Sequence, residues 1–276
     1  NKKVLLGNKV KVEKTRRDLE ESGIYGYDYD LLGRLTKVEK DGEIQRTYAY
    51  DVFGNRTRKT DGLTETQYVY NELNQLIKKE GLEEAEEYIY DKRGNLSKII
   101  GNEEVTAYEF DVMGKMTKAI TSKGESEYSY NGLGHRVGMK EHDHQFNPGK
   151  QVEYILDLTK DYNNLLQKRE QGEVQTYLWD RELVGVKHSM TVEEELEEAN
   201  QGSSYYLVDE LGSPVRLKGA GSLSINETYG YDEFGKDLYE NQTKTQPFSF
   251  TGYQKDESTG LHYAQARYYD GNLGRF

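Results

Sequence analysis

Tyr68-Val69-Tyr70-Asn71-Glu72-Leu73-Asn74-Gln75-Leu76 is followed by Tyr88-Ile89-Tyr90-Asp91-Lys92-Arg93-Gly94-Asn95-Leu96, one phrase written twice. It reads Tyr, any residue, aromatic, Asp or Asn, two residues, then Gly or Asn. Working outward, the phrase returns at Tyr27-Asp28-Tyr29-Asp30 with Gly33 and at Tyr48-Ala49-Tyr50-Asp51 with Gly54. It returns again at Tyr108-Glu109-Phe110-Asp111 with Gly114 and at Tyr128-Ser129-Tyr130-Asn131 with Gly134. The anchor aromatics Tyr29, Tyr50, Tyr70, Tyr90, Phe110 and Tyr130 are spaced by 21 residues once and by 20 thereafter. A fixed period of this length marks an array whose units bury their faces against their neighbours.

Inside one copy the aromatics alternate with other residues, which is the two-residue period of a strand. The Asp/Asn-x-x-Gly that follows is turn chemistry. The acidic or amide side chain can accept a hydrogen bond from the backbone two residues on, and Gly tolerates a left-handed backbone. Gly33, Gly54, Gly94, Gly114 and Gly134 are therefore expected at equivalent turn positions with positive φ. A second strand such as Asn95–Ile100 completes a β-hairpin, and variable turns such as Lys40-Asp41-Gly42-Glu43 link one hairpin to the next. The expected fold is all-β: an antiparallel hairpin array with an aromatic ladder on one face. The 24 Tyr residues suit cross-strand aromatic pairing; a ring surface for stacking sugars is the competing reading, and periodicity does not separate the two.

Hydrophobic residues make up only 34% of the 276-residue chain, and mean hydropathy is −0.94. Such polarity alone suggests disorder, but 12% aromatics and a strict period argue for an ordered sheet with much exposed area. A net charge of −12, with no Lys/Arg cluster, argues against a nucleic-acid partner. Cysteine is absent, which removes disulfides and thiolate metal sites. No run of 18 apolar residues is present to span a membrane. Nothing in the sequence calls for a cofactor: no phosphate-binding glycine loop and no nucleophile elbow is present. In Glu141-His142-Asp143-His144, the imidazoles of His142 and His144 are weak candidates for a divalent metal, lacking identified third and fourth ligands.

After Val137 the period breaks. Strands are expected to resume at 152–158, 164–168 and 174–179. Thr191-Val192-Glu193-Glu194-Glu195-Leu196-Glu197-Glu198-Ala199 carries a capping box and is the one helix the sequence predicts, read as a solvated acidic insert. Three divisions follow: repeats over 1–137, divergent strands and the insert over 138–204, and a distinct region over 205–276.

That last region contains Tyr205-Tyr206-Leu207-Val208-Asp209, Tyr231-Asp232-Glu233-Phe234-Gly235 and Pro247-Phe248-Ser249-Phe250-Thr251-Gly252-Tyr253. It closes with Thr259-Gly260-Leu261-His262-Tyr263-Ala264-Gln265-Ala266-Arg267-Tyr268-Tyr269-Asp270 and Leu273-Gly274-Arg275-Phe276. Together with the repeats, this resembles RHS (YD) repeats followed by the RHS-associated core of bacterial polymorphic toxins and toxin-complex C subunits. The resemblance implies a secreted or cell-surface bacterial protein, not an enzyme in its own right. Its repeats would curl into part of a hollow shell around a C-terminal toxin of the same polypeptide, with the core plugging one end. Partners implied are upstream repeats and that toxin. Open sheet edges would also allow edge-to-edge self-association.

In the family the core directs a self-cleavage at an aspartate lying past the Gly-Arg-Phe, so this chain is expected to stop short of that site. Arg267, in the Arg-Tyr-Tyr motif, is the auxiliary residue the resemblance suggests for that cleavage; the residue pattern alone reads it as a buried, satisfied Arg. Two departures stand out. Asp270-Gly271 replaces the family's Asp-Pro, suggesting a looser turn, and His262 stands where Tyr is common.

Overall fold

The computed structural model describes residues 10–14, 22–82, 84–143, 148–160, 164–190, 202–219, 226–239 and 244–276. The helix expected over 191–199 lies outside the described residues. Within them the chain is all-β and antiparallel, with one turn of 3-10 helix at Phe250–Gly252. It divides into two compact units, Asn1–Thr106 and Ala107–Phe276.

The first unit is a meander of nine strands. These are β1 (Lys11–Lys14), β2 (Gly23–Tyr29), β3 (Leu35–Lys40), β4 (Glu43–Tyr50), β5 (Arg56–Asp61), β6 (Thr64–Tyr70), β7 (Leu76–Glu80), β8 (Ala85–Tyr90) and β9 (Leu96–Ile100). Each pairs antiparallel with its neighbour in the chain.

The second unit has the same plan. Its strands are β10 (Val105–Phe110), β11 (Met116–Thr121), β12 (Gly124–Tyr130), β13 (Arg136–His142), β14 (Pro148–Asp157) and β15 (Asn164–Glu170). They continue as β16 (Glu173–Trp179), β17 (Leu183–Met190), β18 (Ser203–Val208), β19 (Pro214–Gly219) and β20 (Asn226–Thr228). Three two-residue strands, β21 (Gln254–Lys255), β22 (His262–Tyr263) and β23 (Tyr268–Tyr269), form a separate small sheet.

One hairpin explains the rest. In β8–β9 the Gly94 N–H donates to the Asp91 carbonyl at 3.0 Å, closing a four-residue turn. Asp91 Oδ1 accepts from the N–H groups of Arg93 (2.8 Å) and Asn95 (2.9 Å). The Asn95 side-chain amide, with these N–H groups, holds the Asp91 carboxyl below its ordinary pKa. The same two N–H groups are captured by Asp30, Asp51, Asn71, Asp111 and Asn131. Asp209 and Asp232 repeat the device outside the periodic region. The fourth turn position is left-handed, with φ of 85° at Gly94 and 59° at Asn74; Asn reaches this region at modest cost.

Past the turn the six periodic hairpins and the Asp209 hairpin each carry a β-bulge. Ile89 faces Lys98 but Tyr90 faces Leu96, so Ser97 is the extra residue. The equivalent Thr36, Ser97 and Thr117 each return a hydroxyl to a carbonyl of the outgoing strand. A bulge sharpens the local right-handed twist.

The link between successive hairpins runs through the anchor residues. Tyr50 Oη donates to the Leu35 carbonyl (2.8 Å), Tyr70 to Arg56 (2.8 Å) and Tyr90 to Leu76 (2.9 Å). Each acceptor is the residue that faces the anchor of the preceding hairpin. In the second unit Tyr130 donates to Met116, and Trp179 Nε1 does the same to Leu165 at 2.8 Å. Such bonds contribute about 0.5–1.5 kcal/mol each. In five of the six pairs the other Tyr is core: Tyr48, Tyr68 and Tyr88 in the first unit and Tyr108 and Tyr128 in the second are buried, while Tyr27 is half-buried.

Because only a left-handed backbone closes this turn, Gly94→Val is expected to destabilise the first unit by about 1–3 kcal/mol. Gly94→Asn, the residue already tolerated at 74, should cost distinctly less. Urea unfolding midpoints of the two variants check the order; equal losses would refute the left-handed requirement.

Candidate functional site

The second unit brings the segment 244–276 onto the strands, and the contact is built around one charge. Arg136 opens β13 at the position where four other repeats place Leu35, Leu76, Leu96 and Met116. A guanidinium in that apolar slot needs a partner, because burying it unpaired is costly. The partner is Asp256: Arg136 Nη1 lies 2.9 and 2.7 Å from its two carboxylate oxygens, and both side chains are almost fully buried.

Four phenol rings surround the guanidinium. Its carbon stands 4.2 Å from the ring centre of Tyr263, 5.2 Å from Tyr154, 5.4 Å from Tyr128 and 5.9 Å from Tyr268, within cation–π range. Burial pushes the hydroxyls of Tyr128, Tyr154 and Tyr268 well above their ordinary pKa. They therefore stay neutral, and Asp256 alone balances the charge. Tyr263 Oη also accepts the Arg136 backbone N–H at 3.1 Å.

Around Asp256 the loop fastens to neighbouring strands. Ser126 bonds Ser258 (2.8 Å), Lys123 donates to the Glu257 carbonyl (2.9 Å) and Lys150 pairs with the Glu257 carboxylate (2.9 Å). A second anchor is apolar. Phe248 stands edge-on to Tyr177 and Trp179, with ring centres 4.9 and 5.4 Å away. A third is polar: buried Glu227 accepts from the Thr245 N–H (2.9 Å), and Tyr206 donates to Gln246 (2.9 Å).

His262 is buried, with Nε2 3.1 Å from Ser249 Oγ. Burial, helped by the nearby Lys255 charge, pulls its pKa from 6.5 down to about 4. The Tyr269 backbone hydrogen-bonds the same imidazole and partly opposes that shift.

Arg267 differs from the buried reading. It is exposed, with its guanidinium carbon 4.1 Å from the Phe276 ring centre. Gly271 also differs: the turn is tight, not loose. A Cβ there would stand 2.5 Å from the Gly235 carbonyl oxygen, and the Asp270 side chain and carbonyl accept N–H groups from Asn272, Leu273 and Gly274. His142 lies in β13 opposite Glu125, and His144 is outside the described residues. Among the described residues no three His, Asp or Glu side chains gather as a metal site, and no helix is long and apolar enough to cross a membrane.

The sequence reading missed Arg136 and Asp256. The available signal was the arginine itself, in a repeat position otherwise given to aliphatic side chains; Arg56 shares the slot and rests against Tyr68, 4.9 Å to its ring centre.

A family model described as Teneurin YD-shell matches residues 3–276. No curated protein matches the sequence. Among solved structures, TcdB2-TccC3-TEV is similar at 16% identity with a TM-score of 0.46, covering 91% of this chain and 17% of that one. The Photorhabdus luminescens Tc holotoxin pore is similar at 16% identity with a TM-score of 0.45, covering 97% and 17%. This chain thus spans under a fifth of the length of those chains.

Two outcomes are expected. Asp256→Ala, which strands a buried guanidinium, should cost about 3–5 kcal/mol, and Arg136→Met with Asp256→Leu should recover much of that loss; urea unfolding measures both. The second concerns pH. His262 stays neutral in the folded protein down to about 4, whereas the unfolded chain takes its proton near 6.5. Its contribution is complete above about pH 6.5 and is lost between there and pH 4, up to about 3 kcal/mol. The stability gap between wild type and His262→Gln should shift across that window, and parallel pH profiles would refute it.

Proposed function

We propose that this chain, which belongs to the Teneurin YD-shell family and is a structural shell segment, forms part of the wall and core of a container for a C-terminal toxin of the same polypeptide. The container belongs to a bacterial protein that is secreted or held at the cell surface. The observation that carries this reading is the docking of 244–276 on the strands through its buried groups: Asp256 on Arg136, Phe248 against Tyr177 and Trp179, Thr245 on Glu227. The segment behaves as a plug fastened to strands.

A row of exposed apolar turn tips adds support. Leu31, Leu32, Val52, Phe53 and Leu73 sit at matching positions of successive hairpins in the first unit. Apolar rows of this kind mark surfaces that other protein covers, and upstream repeats of the same polypeptide are the proposed cover. The rival in which ladder rings stack sugars is disfavoured, since those rings are buried or half-buried and the hydroxyls of Tyr50, Tyr70, Tyr90 and Tyr130 bond to carbonyls. An auxiliary role for Arg267 in self-cleavage belongs to the same reading, its exposed guanidinium lying beside Phe276.

Limited proteolysis of the full-length polypeptide tests the container. The region C-terminal to this segment is expected to resist a protease that rapidly digests the same region expressed alone. Equal digestion rates in the two settings would overturn the reading.

A further inference from the structure

Asn131 opens the turn between β12 and β13, and the residue after it is Gly132. Sibling hairpins put a side chain at that place: Val52 after Asp51, Glu72 after Asn71 and Val112 after Asp111. Among the described turns of this kind, Asn131-Gly132 alone joins a side-chain amide to a glycine.

Three features of the turn act on the Asn131 carboxamide. Its Oδ1 accepts the N–H groups of Leu133 and His135, both at 3.0 Å. Two donors on one oxygen stabilise the negative charge that grows there when a nucleophile adds to the adjoining carbon. Its Nδ2, the group that would leave, has no partner among the described residues. The other amide of the set differs: Asn71 Nδ2 is tied to Gln75 Oε1 at 2.8 Å. The Gly132 N–H also has no partner among the described residues. It is exposed, with nothing within 4 Å of where a Cβ would stand.

We propose that Asn131-Gly132 is a self-modification site, at which the main chain displaces the side-chain amide. Hydroxide removes the Gly132 amide proton, and the nitrogen anion adds to Asn131 Cγ. The new C–N bond closes a cyclic imide as the Cγ–Nδ2 bond breaks, and ammonia leaves with a proton from water. Water then opens the imide at one of its two carbonyls. The sum is amide plus water to carboxylic acid plus ammonia. Opening at Cγ leaves aspartate, the residue that sibling hairpins carry as Asp30, Asp51, Asp91 and Asp111. Opening at the main-chain carbonyl leaves isoaspartate, which adds a carbon to the backbone. The hairpin so lengthened is the one that presents Tyr130 to Tyr268 (3.2 Å) and Arg136 to Asp256. The isoaspartate product therefore loosens the docked segment, and the aspartate product leaves it in place.

Peptide mapping by mass spectrometry tests the site. On incubation of the folded chain, the peptide carrying Asn131 should gain about one dalton and split into two chromatographic isomers. The rate should rise with hydroxide concentration, while Asn71 in the same digest keeps its amide. Gly132→Val supplies the residue that Val52 and Val112 already place in sibling turns, so this variant should melt at the wild-type temperature. Its branched side chain crowds the attacking nitrogen, and conversion should slow about tenfold or more. Aged protein enriched in isoaspartate should release 244–276 to limited proteolysis faster than Asn131→Asp does; equal digestion would refute the loosening. The assignment itself fails if the folded chain keeps the Asn131 amide while the urea-unfolded chain loses it. It fails equally if Gly132→Val converts as fast as wild type, or if Asn71 is lost at the same rate as Asn131.

Discussion

A hairpin joined to the next hairpin by a short turn has no core of its own, and an isolated pair of strands is marginal in water. What couples the hairpins here is the bond from an anchor phenol to the carbonyl facing the previous anchor. It consumes a carbonyl that the bulge has pulled out of the regular ladder, and it positions the paired Tyr in the core. The bulge and the phenol are therefore one device: the extra residue opens the ladder and the hydroxyl fills the gap. Trp179 shows that an indole N–H serves as well as a phenol, while the anchor Phe110 carries no rim donor and its hairpin forgoes the bond.

The docked segment of the second unit uses a different principle. Its central contact is a buried ion pair, which is a weak source of net stability because desolvation offsets most of the Coulomb gain. Its value is in discrimination: only a segment that delivers a carboxylate to the tyrosine cage relieves Arg136. The aromatic contact of Phe248 supplies area, and the ion pair supplies register. Gly271 and Gly235 complete the fit, because the backbone of the closing turn sits where no side chain could.

The left-handed residues Thr251 and Gln265 and the tight turns belong together. Asp270, Thr251 and Gln265 lie within a short stretch that holds little regular secondary structure, so its backbone polar groups are satisfied by side chains and tight turns. Where this scheme leaves space, it leaves a cavity lined by Trp179, Thr251 and Gln265.

How much of this was legible in the sequence follows from the range of each interaction. The hairpins were legible because Asp91, Gly94 and Tyr90 act within a few residues of one another, so their spacing is their geometry. The repeat period extended that reading to neighbouring hairpins. The family resemblance drew attention to 205–276, but the roles of Arg136, Asp256 and Gly271 remained hidden. They depend on partners 120 residues away in the case of Arg136 and Asp256, and on a backbone-to-backbone approach in the case of Gly271. Arg267 was misjudged for the same reason: its composition as an arginine between aromatics is the same whether it is buried or exposed, and only the packing of Phe276 decides. The sequence by itself determined the strand period, the turn chemistry and the array. Tertiary structure alone decided which charge is buried, which ring is a clamp and where a cavity remains, because desolvation and packing are properties of what surrounds a residue and spacing along the chain does not encode the surroundings.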